Sequence, residues 1–289
     1  MVFLRNYPLS NVTSLGVGGP ADYFIRPSTT EEIIAAQRFA LEKDYPLTVI
    51  GYGTNLLVRD GGIRGVVIQI AEPFAKAKVD RNLLTATTGC LFSSVSKLAL
   101  SHSLSGLEFA VGIPGGIGGA AYMNAGAYGG EIGPLVKRVD FVQGGELRSW
   151  EGDEYSFSYR SSRLQTETEK AIATQVVFEL KPGERKEILT KMLELQEQRR
   201  AKQPLEYPSA GSTFKRPAGH YVGPLIEGAG LKGLRIGGAE VSRKHAGFLI
   251  RVGDAKAADF LNLIKEIQRV IWEKHGVHLE PEIRVIGED

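Results

Sequence analysis

Cysteine is almost missing from this chain. Cys90 stands alone among 289 residues, so no internal disulfide can form and packing must hold the fold. No apolar run reaches the roughly 20 residues that span a bilayer, and Met1 to Pro8, with Arg5 inside it, lacks the apolar stretch of a signal peptide. A cytoplasmic protein without membrane insertion is expected. Net charge of one sign is scarce too: at +2 there is no broad field to draw nucleic acid, although a local basic site for phosphates stays open. The five histidines are scattered, and His275 and His278 lack the further His or Cys neighbours that a metal centre needs, so no metal is expected. No Walker A sequence occurs. Without a G-x-S-x-G elbow, and with Cys90 in a β-like run that has no evident base, hydrolase chemistry has little support. Internal repeats and low-complexity linkers are absent as well.

What is present is an ordinary globular composition, 43% hydrophobic and 24% charged, long enough to bury a full core and divide into two or three lobes. Helical spacing marks Ser28 to Lys43, with Thr29 as N-cap and Glu32 three residues on. Apolar runs at Leu47 to Ile50 and Gly65 to Ile70 read as strands around a glycine-bearing turn, Gly51 to Asn55. Ser93 to Ser101 is a second helix. The runs Val136 to Gln143 and Ile172 to Leu180 read as strands of a mixed sheet, with Gly144 and Gly145 as a hairpin turn. A charged helix is expected over Lys186 to Gln203, stopped by Pro204, and a long amphipathic one from about Lys256 to Lys274, with Gly276 as terminator. In His278 to Gly287 an extended edge strand, marked by Pro281, would put Glu280 and Glu282 on one side.

The densest signal is GIPGGIGGAAYMNAGAYGGE, Gly112 to Glu131. Glycine without a Cβ lets backbone N–H groups close on something large and anionic, so the stretch reads as backbone shaped around a phosphate-bearing cofactor. Gly116, Gly118 and Ala121 satisfy the G-x-G-x-x-A form of the dinucleotide fingerprint. The context argues against it, because Asn124, Gly126, Gly129 and Gly130 predict irregular backbone where that motif needs a helix. A second glycine site, Ile50 to Gly62, follows an apolar strand in the same way. Two short polar segments, YSFSYRSSR (155–163) and SAGSTFKRP (209–217), carry Arg160, Ser212, Lys215 and Arg216. Arginine can grip a carboxylate or developing enolate, a serine hydroxyl can protonate a carbanion, and Lys215 and Arg216 suit phosphates; alternatively each is a solvated or turn-forming residue.

Taken in order, SLGVGGPADYFIRP (14–27), GYGTNLL (51–57), the Gly112 to Glu131 stretch, SYRSSR (158–163), GSTFKRP (211–217) and LEPEIRVIG (279–287) resemble one family over nearly the whole chain. It is the flavoprotein UDP-N-acetylenolpyruvoylglucosamine reductase (MurB) family of bacterial peptidoglycan synthesis. The resemblance implies an α+β, FAD-binding PCMH-type (vanillyl-alcohol-oxidase-like) two-lobe fold with an additional α+β substrate-binding domain. On this chain it implies lobes at residues 1–73 and 74–184, and a substrate domain at 185–289 whose C-terminal strand returns to the active site. It also implies a cytoplasmic enzyme that uses FAD as cofactor and NADPH as co-substrate to reduce UDP-N-acetylglucosamine enolpyruvate to UDP-N-acetylmuramate.

By matching positions, Arg160, Ser212 and Glu282 are the implied catalytic residues, and Tyr159, Lys215 and Arg216 the implied substrate contacts. Gly51, Tyr52, Gly53, Thr54, Asn55, Leu56, Gly115, Gly116, Gly118, Gly119, Asn124 and Gly126 are implied to hold the cofactor. A short charged connection leads from Arg163 to Ile172 where longer members insert a tyrosine-bearing segment, so the chain resembles the shorter, type II form. Arg251 stands where an asparagine is common. The alternatives are an FAD oxidoreductase of the same fold with another substrate, and a non-catalytic nucleotide-sugar-binding flavoprotein.

Overall fold

A computed structural model describes residues 2–167 and 170–289, so part of the charged connection after Arg163 lies outside the described residues. The chain divides into two compact units: one holds the residues up to Leu4, Tyr23–Tyr52 and Gly65–Arg199, the other Arg5–Asp22, Gly53–Arg64 and Arg200–Asp289.

The first unit has two layers of core. A five-stranded antiparallel sheet runs in the order Glu146–Glu151, Val136–Gln143, Ile172–Glu179, Leu83–Thr87, Ala77–Asp80. Val139, Val176 and Ala86 pair across its three central strands and are buried, as the alternation of β-branched residues dictates. The Gly144–Gly145 turn, with φ +60° and +78°, closes the hairpin in the two-residue form that its sequence predicts. Beside this sheet, Leu47–Ile50 pairs in parallel with Ile63–Gln69. The helix Thr30–Glu42 contributes Ile33, Ala36 and Ala40 to a core shared with Val66 and Ile68. The Thr29 hydroxyl accepts from the Glu32 N–H as expected, but the Glu32 carboxylate reaches Ser28, accepting from its N–H (2.7 Å) and hydroxyl (2.9 Å). Those two bonds hold the Glu32 carboxyl below its usual range.

The second unit is a four-stranded antiparallel sheet, in the order Ser209–Ser212, Phe248–Arg251, Ala239–Val241, Arg235–Ile236. The helix Ala257–His275 contributes Phe260, Leu263, Ile264, Ile267 and Ile271 to the same core as Ala239, Val241 and Leu249. Gly276, at φ +63°, ends this helix in the left-handed conformation, its N–H bonded to the Trp272 carbonyl at 2.9 Å. At the other end the Asp60 carboxylate accepts from the N–H groups of Ala257 (2.8 Å) and Ala258 (3.0 Å).

Two elements depart from the sequence expectation. In 278–287 only Arg284–Ile286 is a strand, paired in parallel with Leu56–Val58; Pro281 meets Phe214 in an isolated antiparallel bridge instead of sitting in a continuous edge strand. In the glycine-rich stretch, Gly116 does open directly into a helix, Ile117–Met123. Glycine's poor propensity is offset there by tertiary bonds, since the N–H groups of Ile117 and Gly118 donate to the carbonyls of Cys90 (2.9 Å) and Thr88 (3.0 Å). A Cβ on Gly118 would lie 3.1 Å from that of Thr88, so the glycine also permits the close approach.

Candidate active site

In the second unit, Ser212 ends the strand Ser209–Ser212 opposite Phe248, and the backbone beyond it is strapped to the C-terminal segment. The Glu282 N–H donates to the Thr213 carbonyl at 2.8 Å, and the Lys215 N–H to the Glu280 carbonyl at 2.8 Å. Ser212 and Glu282, distant in sequence, therefore sit on adjoining lengths of chain, each half-buried. Among the described residues the Ser212 hydroxyl has one hydrogen bond, a long 3.5 Å contact with the Phe214 carbonyl. Asn55 fastens the same segment from the glycine loop, its Nδ2 donating to the Glu282 carbonyl (3.2 Å) while its own carbonyl accepts from the Arg284 N–H (2.9 Å).

Gly53 anchors that loop. At φ +66° its carbonyl accepts from the Ser14 N–H (3.1 Å) and hydroxyl (3.3 Å), and a Cβ would collide with the Val12 carbonyl. The glycine is required by the protein's own packing. Arg251, unexplained by sequence, donates from Nη1 to the Gly16 carbonyl at 2.8 Å and lies against the bare Cα of Gly16, tying SLGVGG to the sheet. Lys215 is paired with the Glu280 carboxylate at 2.5 Å. Arg216 is exposed, stacked on Tyr221 at 3.9 Å from the ring centroid.

His245 is a neighbour that sequence reasoning missed. Its Nδ1 accepts from the Gly247 N–H at 3.1 Å, and burial pushes its pKa down. The only sequence signal was its place three residues before the strand Phe248–Arg251.

In the first unit, Gly51 and Tyr52 follow the strand Leu47–Ile50, with the Gly51 carbonyl accepting from Gln69 Nε2 at 3.1 Å. The Tyr52 hydroxyl donates to the Gly89 carbonyl at 2.8 Å, and burial raises its pKa. Its ring lies over Gly116, where a Cβ would be 3.0 Å from two ring carbons. Gly115 takes a positive φ, +106°, and Gly119 differs from Gly116 in that a Cβ there would meet no atom within 4 Å. Gly119 leaves bare helical backbone beside open space, a place where a flat or anionic cofactor fits against the chain.

Asn124 caps the helix at φ +44° and is 1% exposed. Its side chain is engaged entirely by protein: Nδ2 donates to the Ser158 carbonyl (3.0 Å) and Glu131 carboxylate (3.3 Å), and Oδ1 accepts from the Gly133 N–H (3.0 Å). Arg160 sits in a tight turn at φ +56°, its guanidinium donating to the Gly126 carbonyl at 3.1 Å and lying 5.1 Å from the centroid of the exposed Tyr159 ring. Arg199 also went unnoticed in the sequence, masked by its run of charged neighbours. It is half-buried over Gly112 with its pKa lowered by burial, and it makes no hydrogen bond or ion pair among the described residues. Among the described residues no three His, Cys, Asp or Glu gather as a metal site, and no helix is long and apolar enough to cross a membrane.

Comparison with known proteins identifies the family. Residues 21–152 match the model of an FAD binding domain, which makes the chain a flavoprotein. Residues 203–286 match the C-terminal domain model of UDP-N-acetylenolpyruvoylglucosamine reductase. The enzyme of that name from Lactiplantibacillus plantarum is 48% identical over 286 residues, 99% of this chain and 94% of that protein, and the one from Exiguobacterium sibiricum is 47% identical over 287. The crystal structure of UDP-N-acetylenolpyruvylglucosamine reductase (MurB) from Thermus caldophilus superposes with a TM-score of 0.85 at 36% identity, covering 99% of each chain. This chain belongs to the UDP-N-acetylenolpyruvoylglucosamine reductase family. The FAD-binding α+β fold with a further α+β domain, implied by the motifs, is its fold.

Proposed function

We propose that this chain is the NADPH-dependent, FAD-containing reductase that converts UDP-N-acetylglucosamine enolpyruvate to UDP-N-acetylmuramate in peptidoglycan synthesis, working in the cytoplasm. Membership of the family along 99% of its length is the observation that carries this reading. Bound FAD supplies hydride transfer, taking its electrons from NADPH. Gly51 to Leu56 and the turn from Gly115 to Gly119, whose backbone is bare at Gly119, would hold it, with Asn124 and Gly126 shaping the second loop and Arg199, unpaired among the described residues, beside Gly112. The lobes proposed for this work are 1–73, 74–184 and 185–289.

The chain's own residues act on the sugar nucleotide. Hydride arriving at C3 of the enolpyruvyl group leaves negative charge on C2 and its carboxylate. Arg160 is the group proposed to neutralise that charge, since a preorganised donor in a dry site contributes about 3 to 4 kcal/mol to the transition state. The Ser212 hydroxyl then gives its proton to C2, and a carbanion is basic enough to take it. Its long contact with the Phe214 carbonyl leaves that proton uncommitted. Glu282 orients or polarises the reacting group from the adjoining segment, while Tyr159, Lys215 and Arg216 meet the rest of the substrate. Ser212→Ala tests the assignment: NADPH should still reduce the flavin, and reoxidation by substrate should slow about 100-fold or more. Near-normal reoxidation would remove Ser212 from this role.

A further inference from the structure

We infer that Asn124 is a positioning residue for Arg160, fixing both its backbone and its guanidinium. The inference rests on the role proposed above for Arg160.

Ser158 and Ser161 exchange backbone hydrogen bonds of 3.1 Å in each direction, leaving Tyr159 and Arg160 at the tip of a tight turn. At φ +56° Arg160 occupies the left-handed region that a side chain with a Cβ disfavours, so surrounding bonds must hold it there. They converge on one helix end. Asn124 Nδ2 holds the Ser158 carbonyl at 3.0 Å, and Gln165 Nε2 bridges the Arg160 carbonyl (3.0 Å) to that of Tyr122 (2.6 Å). Ser162 adds a bond from its hydroxyl to the Tyr122 carbonyl at 2.9 Å. The carbonyls of Ser158 and Arg160 are thus tied to the helix Ile117–Met123 and its cap.

Asn124 also governs where the guanidinium lands. Its own left-handed turn at φ +44° sends the chain out to Gly126, whose carbonyl receives Arg160 Nη2 at 3.1 Å. The Gly133 N–H bond to Oδ1, 3.0 Å, holds the far side of that excursion. Asparagine suits this place because it tolerates the left-handed conformation and carries both a donor and an acceptor. Glycine would keep the turn and lose all three side-chain bonds; aspartate would keep the shape and the Gly133 bond but could donate to neither Ser158 nor Glu131.

The test measures the two half-reactions separately on flavin-loaded Asn124→Asp: reduction by NADPH, and reoxidation by UDP-N-acetylglucosamine enolpyruvate. Displacing a charge-stabilising group should slow reoxidation about tenfold more than reduction. Because the effect runs through Arg160, Asn124→Asp placed on Arg160→Lys should add less than about twofold further loss. Gln165→Ala, which leaves the buried asparagine intact, should show the same selective loss and the same non-additivity. Equal slowing of both half-reactions, or full losses in the Arg160→Lys background, would overturn the positioning role while leaving that of Arg160 standing. Normal reoxidation in Arg160→Lys and Arg160→Ala would instead overturn the reading of Arg160, and the inference with it.

Discussion

Replacing Gly53 by alanine separates two reasons for a glycine in a cofactor loop. If the residue is bare only so that a ligand can approach, the flavin-free protein should not notice the methyl group. The structure says otherwise, because the new Cβ would fall on the Val12 carbonyl and within 2.8 Å of the Thr13 Cα, both backbone atoms that cannot swing aside. The left-handed backbone at φ +66° adds its own penalty. Left-handed strain costs about 1 to 2 kcal/mol and forced overpacking about 1 to 3. Moving the loop to relieve the clash sacrifices the Ser14 bonds to the Gly53 carbonyl, about 1 kcal/mol each. A total near 4 kcal/mol corresponds to a Tm lower by about 10 °C. The control is Gly219→Ala in the same unit, at φ +74° with nothing within 4 Å of its Cβ, which should lose about 1 kcal/mol and a few degrees. Thermal unfolding of both flavin-free variants makes the comparison. Equal melting temperatures for the two would refute the packing argument; an unchanged Tm for Gly53→Ala with weakened flavin retention would assign that glycine to the ligand.

Asp60→Ala should cost about 1 to 2 kcal/mol, read by urea unfolding, since one carboxylate serves the N–H groups of both Ala257 and Ala258; Asp60→Asn should recover much of it. His245 gives the protein a pH dependence. Burial lowers its pKa in the fold, with Lys232 and Lys202 acting in the same direction and Glu227 against it. The unfolded chain therefore binds the proton first as pH drops below about 6.5. Stability from this group is complete above that pH and is lost as pH falls through the lower folded value, where protonation also removes the Nδ1 acceptor of the Gly247 bond. Thermal scans of wild type and His245→Gln should diverge in slope below pH 6.5; parallel profiles would contradict the assignment.

Much of this was legible in the chain itself. Period and punctuation located the helix Ala257–His275 with its Gly276 stop, and the Gly144–Gly145 hairpin, because those signals are local. The helix Ile117–Met123 was hidden, since glycine propensity argues against it and the carbonyls of Thr88 and Cys90 that stabilise it lie far upstream. So was the parallel pairing of Leu56–Val58 with Arg284–Ile286, a contact between distant ends that no spacing rule foretells. At the site, the motif identified Asn124 as important, whereas only coordinates show its side chain spent on Ser158, Glu131 and Gly133. Arg251 is the reverse case, an oddity in the sequence that becomes a simple clamp on Gly16 in the fold.

The central claim is that one bound flavin passes electrons from NADPH to an enolpyruvyl sugar nucleotide. The direct measurement is anaerobic: add NADPH to the yellow protein, follow the flavin absorbance, then add UDP-N-acetylglucosamine enolpyruvate. Bleaching is expected, then full return of colour, with one UDP-N-acetylmuramate formed for each NADPH consumed. Flavin that NADPH cannot bleach, or bleached flavin that the enolpyruvyl substrate leaves colourless, would contradict it.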